Sequence, residues 1–389
     1  DNNEEEVNNN NNNNCDNNNN NDINTQLKVW KNSTIKQTNN PLWPITTIPL
    51  QRLCHGDKNY PLRIEIFDWN SSGNHTLIGY WDTNVNELIS RSNIEVPLIK
   101  PNDSNSNSTD RGILLISNVN LERHPTFLQY LRGGCAVSVA IGIDFTSSNG
   151  EPSNPTSLHY WDSTHTTLNQ YQQAILSIGS ILEEYDQDKR FPVYGFGAKV
   201  RDNHGNYSPT QHWFPLSSTG EEVQGIKGVL DLYETSVKKL KFDQPLRLHP
   251  LIDYITQRTT NSSNDSLSCT QQKQKYTVLL LLTCGGISDF EETIHSLVQA
   301  AERAPLSIII VGIGSSNFEE LNVLDADVHA LQSGDVIASR DIVQYVRFDN
   351  YKNRSQEDLA HAVLEEIPEQ LLTYMRQHNI LPNQPSSKS

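Results

Sequence analysis

The pattern of apolar positions changes character along the chain. Before residue 120 these positions come in short alternating or β-rich runs at 27–30, 45–50, 62–68 and 77–81, with one more at 113–119. Runs of that length, punctuated by Asn, Gly and Pro, predict strands of an antiparallel sheet. From Cys135 onward the runs become continuous, and 136–143, 191–197, 276–283 and 306–313 read as buried strands. Between them the spacing is helical. Tyr171, Ile175, Ile178 and Leu182 mark a helix within 168–185, and further helical patterns cover 223–240, 246–258, 290–303 and 356–376. This alternation predicts an α/β fold, a doubly wound and mainly parallel sheet, preceded by the antiparallel all-β part. In such sheets ligands bind at the carboxyl ends of the strands, where Asp144 and Cys284 stand.

Polar stretches set the expected boundaries. Residues 1–26 are almost pure Asn with a few acids, a composition that cannot offset its ordering entropy, and are expected to be disordered. Polar breaks at 100–111 and 259–275 and a polar tail at 383–389 follow. The expected division is therefore a β unit at 27–120, an α/β unit at 121–382 and two disordered ends.

Composition narrows the function. The formal charge of -16, from 30 basic and 46 acidic residues, repels phosphate backbones and excludes autonomous nucleic-acid binding. It equally opposes anionic lipid, unless a cation bridges the two. No apolar run approaches the roughly 18 residues of a membrane span. The five cysteines (Cys15, Cys54, Cys135, Cys269, Cys284) form no C-x-x-C pair, so neither a disulfide framework nor a zinc knuckle or RING is expected, and a reducing cytosol fits.

The sharpest motif is Asp144-Phe145-Thr146-Ser147-Ser148, directly after the first buried strand. One carboxylate and two hydroxyls on a turn are hard oxygen ligands of the kind Mg²⁺ or Mn²⁺ prefers, though a loop cap with filler serines fits the same five residues. Enzyme readings lack a second element. Gly312-Ile313-Gly314 has Asn317 where a dinucleotide loop needs its third glycine, and Thr146 stands where an aspartyl phosphatase carries a second acid. Cys284 as a nucleophile would need His249 or His295 as base, and no spacing supports either. A noncatalytic protein is expected.

Several runs in order identify a family resemblance: 142–160 (GIDFTSSNGEPSNPTSLHY), 185–197 (YDQDKRFPVYGFG), 279–285 (LLLLTCG), 307–318 (SIIIVGIGSSNF) and 341–346 (DIVQYV). Together they resemble the von Willebrand A-type domain of the copines. Upstream, 40–43 (NPLW), 53–57 (LCHGD) and 67–79 (FDWNSSGNHTLIG) resemble the later half of a copine's second C2 domain. The resemblance implies a cytosolic adaptor that associates peripherally with the plasma membrane or endomembranes. Its C2 part would bind anionic phospholipid through calcium, and its A-type domain would bind cytosolic protein partners. It further implies a weak calcium half-site, with Asp68 matching a family ligand while Asn70 and Thr76 replace aspartates. In the A-type domain Asp144, Thr146 and Ser148 are kept, but Leu246 and Cys284 occupy positions of a threonine and an aspartate, so any magnesium or manganese site is degenerate. The alternatives are a metal-independent interaction module that has lost calcium and lipid binding, and a ubiquitin-ligase relative lacking its RING.

Overall fold

The structure is a computed structural model that describes residues 28–91, 93–99, 112–161, 167–202, 204–260, 269–326, 329–352 and 354–385. The disorder expected at 1–26, the linker at 100–111, most of the break at 259–275 and the last residues of the tail lie outside the described residues. The chain divides into two units, 1–123 and 124–389.

In the first unit, β1 (Leu62–Asp68) pairs antiparallel with β2 (Thr76–Thr83), and β3 (Asn93–Pro97) with β4 (Ile113–Ser117). Strand alternation turns Ile64, Trp81, Ile94, Val96, Leu114 and Ile116 into one small core, against which Leu88 packs. The strands expected at 27–30 and 45–50 do not form among the described residues. Residues 28–49 are irregular and run into a short helix, Leu50–Cys54. The prolines at 41, 44 and 49 supply the reason, since each removes a ladder donor.

The second unit is built on six strands: β5 (Ala136–Asp144), β6 (Val193–Phe196), β7 (Phe214–Pro215), β8 (Lys275–Thr283), β9 (Leu306–Gly312) and β10 (Val343–Arg347). Their spatial order is β10-β9-β8-β5-β6-β7, parallel throughout except for β7 at the edge. Helices α1 (Gln170–Glu183), α2 (Gly225–Val237), α3 (His249–Thr260), α4 (Phe290–Arg303), α5 (Gln356–Leu364) and α6 (Ile367–Gln377) cover the sheet. The period of two decides the layering. On β8, Val278, Leu280 and Leu282 enter one core with α1, α2, α5 and α6, while Leu279 and Leu281 enter the other with α3 and α4. The apolar runs predict four of these six strands and the mainly parallel sheet, but not β7 or β10, and they miss two interruptions. Pro192 separates a short strand, Arg190–Phe191, from β6, and the helix expected over 356–376 breaks into α5 and α6 with Pro368 in the first turn of the second.

Two buried charges hold the ends of elements. Arg340 donates to the carbonyls of Ala301, Ala304 and Leu306, thereby serving orphan acceptors at the end of α4. Asp289 accepts from the backbone N–H groups of Leu248 and His249 and so caps α3 from outside its own segment.

Asp186 is buried and accepts the N–H of Val139, on β5, at 2.9 Å and that of Lys189 at 3.1 Å. Burial, together with the Asp188 carboxylate, pushes its pKa from 3.8 up to about 6. Between those values the folded chain holds a proton that the unfolded chain has released. Its contribution to stability is thus fully present below pH 3.8 and lost as pH rises through 6. Measured by urea unfolding, Asp186→Asn should gain about 2 kcal/mol on the parent as pH is raised from about 4 to about 7. A difference between the two proteins that does not vary with pH would contradict this.

Candidate functional site

The central strand β5 neighbours β6 on one side and β8 on the other, and the chain fills the two sides in separate passes. That makes the carboxyl ends of β5 and β8 the crevice of the sheet. Asp144 ends β5, Thr283 ends β8 and Cys284 follows it.

Asp144 is fully buried, and both carboxylate oxygens are engaged. Oδ1 accepts the Thr146 N–H at 2.8 Å and the Thr146 hydroxyl at 2.7 Å; Oδ2 accepts the Thr283 hydroxyl and the Cys284 N–H, each at 3.0 Å. An ionised carboxyl has about four acceptor sites, and here each has a donor. Around it, Thr146 Oγ1 lies 2.9 Å from Ser148 Oγ, and the Cys284 sulfur lies 3.3 Å from Ser148 Oγ and 3.9 Å from Thr146 Oγ1. Four of the sequence-identified positions therefore meet in one cluster. Leu246 is buried in the core beside α3, its carbonyl accepting the Ser288 N–H at 2.9 Å. Two residues earlier, the Gln244 amide donates to Ser148 Oγ at 3.2 Å.

Gly197 explains how tightly this loop is seated. Its φ of +76° is the left-handed region that glycine favours, and a Cβ there would stand 2.2 Å from Thr146 Cγ2. Beneath the loop lies a buried polar layer that spacing alone did not reveal. Asn149 donates to the Thr146 carbonyl at 3.1 Å and accepts the Tyr171 hydroxyl at 2.8 Å. His159 is fully buried, and burial pushes its pKa down to about 3, so the ring is neutral. Its Nε2 sits 2.8 Å from the Asp144 carbonyl, which can only accept, so Nε2 carries the proton and Nδ1 accepts from the Tyr233 hydroxyl at 2.7 Å.

The nucleophile reading of Cys284 finds no base. His249 pairs with Asp289 at 2.6 Å, and His295 contacts Ser333 and Gln299. Burial first, and then the Asp144 charge, hold the thiol well above its ordinary range.

The donor set does not suit Mg²⁺ or Mn²⁺. One carboxylate, two hydroxyls, a neutral thiol and a core leucine offer a hard dication a single charge, and neither the sulfur nor the methyl groups are ligands it selects. Among the described residues no group of three His, Cys, Asp or Glu side chains is arranged to hold a metal.

In the first unit Asp68 ends β1 directly opposite Thr76, and both are exposed. The Asn70 side-chain oxygen accepts the Ser72 N–H at 3.1 Å, and Gly73, with φ +82°, turns the chain back toward β2. Phe67 and Trp69 are also exposed on this hairpin, with Trp69 stacked on His75 and Lys36 Nζ 5.8 Å from its ring. The tip thus combines one free-standing carboxylate type, one amide oxygen already serving the turn, and aromatic surface.

Comparison with known proteins places this geometry. A C2 domain family model matches residues 9–98 and the Copine family model matches residues 157–383. Copine-A of Dictyostelium discoideum is 37% identical over 363 residues, covering 92% of this chain and 58% of its own length. Copine-B of the same organism is 37% identical over 359 residues, covering 91% of this chain and 65% of its own. The chain spans about three fifths of the length of these curated relatives. With a C2 region followed by a von Willebrand A-like unit that the Copine model matches nearly throughout, the chain belongs to the copine family.

Proposed function

We propose that this chain is a noncatalytic adaptor that associates peripherally with anionic phospholipid through calcium and presents its A-type unit to cytosolic protein partners. The observation that carries the lipid half is the β1–β2 hairpin, where exposed Asp68 stands beside exposed Phe67 and Trp69. A calcium ion shared between Asp68 and lipid phosphate overcomes the repulsion set by the net charge of -16, and the aromatic rings then gain contact with the interface. Asn70 and Thr76 supply no charge, so the ion is held weakly.

The partner-binding half rests on the Asp144 cluster. Because its donors do not suit Mg²⁺, the A-type unit engages partners without a metal bridge, and the plasma membrane or endomembranes are reached through the hairpin alone. A second reading, a metal-independent interaction module that no longer binds lipid, is favoured by the Asn70 oxygen being committed to the turn.

Cosedimentation with phosphatidylserine vesicles separates the two readings. The adaptor reading expects binding that needs about 10⁻⁴–10⁻³ M calcium, vanishes in chelator and falls in Trp69→Ala. Binding at micromolar calcium would show that the ligand count is wrong, and indifference to calcium would favour the second reading.

For the A-type unit, calorimetric titration of the parent with Mg²⁺ and Mn²⁺ should show little or no heat of binding. Leu246→Thr combined with Cys284→Asp should create affinity that Asp144→Ala then removes, since the pair returns an oxygen ligand and a full charge. Tight binding by the parent would refute the metal-free reading.

A further inference from the structure

At the opposite end of the sheet from Asp144, the sulfurs of two segments meet and the thiol of a third, Cys135, lies in the same buried cluster. Cys135 immediately precedes β5, Cys269 lies six residues before Lys275 at the start of β8, and Met375 is on α6. Cys135 and Met375 are fully buried, and Cys269 packs against the same core while keeping partial exposure. The Cys269 sulfur lies 3.9 Å from the Met375 sulfur and accepts the Lys275 backbone N–H. Lys275 in turn pairs with Ala136, the residue next to Cys135, so both thiols belong to the starts of neighbouring strands. Met375 is the only methionine in 389 residues.

We propose that Cys135, Cys269 and Met375 form a binding site for a soft monovalent metal ion, Cu(I). Thiolate and thioether sulfur are the ligands that select this ion, while Mg²⁺ and Ca²⁺ reject them and a thioether is a poor ligand for Zn²⁺. Two sulfurs that share a metal at about 2.3 Å each lie about 4 Å apart at a trigonal angle, which matches the spacing of Cys269 and Met375. Partial exposure of Cys269 gives the ion its entry. Two thiolates and one Cu(I) leave a net negative charge in the core. The Lys275 backbone N–H, which donates to the Cys269 sulfur, answers part of that charge.

The two thiols are protonated in the free protein, and burial pushes that of Cys135 up to about 12. Metal entry forms two sulfur–metal bonds to thiolates and releases two protons to solvent, with no change of oxidation state. Affinity therefore rises with pH.

The test is an anaerobic titration of the fully reduced chain with Cu(I) in competition with the chelator bathocuproine disulfonate, alongside thermal unfolding. One ion per chain, a raised melting temperature and an affinity that climbs with pH are expected. Cys135→Ala and Cys269→Ala should each weaken binding by about a hundredfold, and Met375→Leu, which keeps core volume, by about tenfold. Cys15, Cys54 and Cys284 remain in every variant and so report any binding elsewhere. Failure of the parent to bind, preference for Zn²⁺ over Cu(I), or an affinity left unchanged by either Cys269→Ala or Met375→Leu in a protein whose far-ultraviolet spectrum is unchanged would overturn the site.

Discussion

A buried carboxylate is tolerable only when its charge is answered, and Asp144 is answered entirely from within the fold. Its four donors come from Thr146, in the loop that follows β5, and from Thr283 and Cys284 at the end of β8. The two central strands are thereby tied together at the end where the sheet opens its crevice. Because the donor at residue 284 is its backbone N–H, this tie does not depend on which side chain stands there. Asp144 thus has an architectural role, joining the loop after β5 to the end of β8.

The layer below enforces the same arrangement. His159 can support the Asp144 carbonyl only in one tautomer, and the Tyr233 hydroxyl fixes it. Rings of Phe145, Tyr171 and Phe242 pack against the imidazole at centroid distances of 5.3, 4.0 and 5.0 Å, which excludes the water that a charged ring would need. The loop is therefore rigid from beneath and adaptable only on its outer side, where Ser148 and Gln244 meet. A partner binding at this end of the sheet meets a preformed surface, which lowers the ordering entropy that association must overcome.

Much of this was legible in the sequence because the signals are local and periodic. The continuous apolar strands and the helical spacing of Tyr171 to Leu182 determine the sheet and its first helix, and the D-x-T-x-S run marks the crevice. What stayed hidden was long-range. Asp289 caps a helix some forty residues away, Arg340 closes the end of α4, and the Cys269 and Met375 sulfurs meet only once the last helix has packed on the sheet. None of these pairings has a characteristic spacing, so no periodic pattern reveals them. The first unit was read less well for a different reason: its proline-rich entry carries apolar residues at strand-like intervals, yet the prolines withhold the donors that a ladder requires.

Cys284 and Leu246 at the crevice make physical sense together. An aspartate at position 284 would place a second carboxylate within hydrogen-bonding distance of the same hydroxyls as Asp144, and two buried like charges need a cation between them. With cysteine there, Asp144 is the one buried carboxylate in this hydrogen-bonded cluster at the ends of β5 and β8 among the described residues. A threonine at position 246 would then be a buried hydroxyl without its metal, whereas leucine joins the core beside Leu248 and Leu251. The crevice is thus one hydrogen-bonded unit, in which the hydroxyls of Thr146 and Ser148 complete the hydrogen bonding of Asp144 and Gln244.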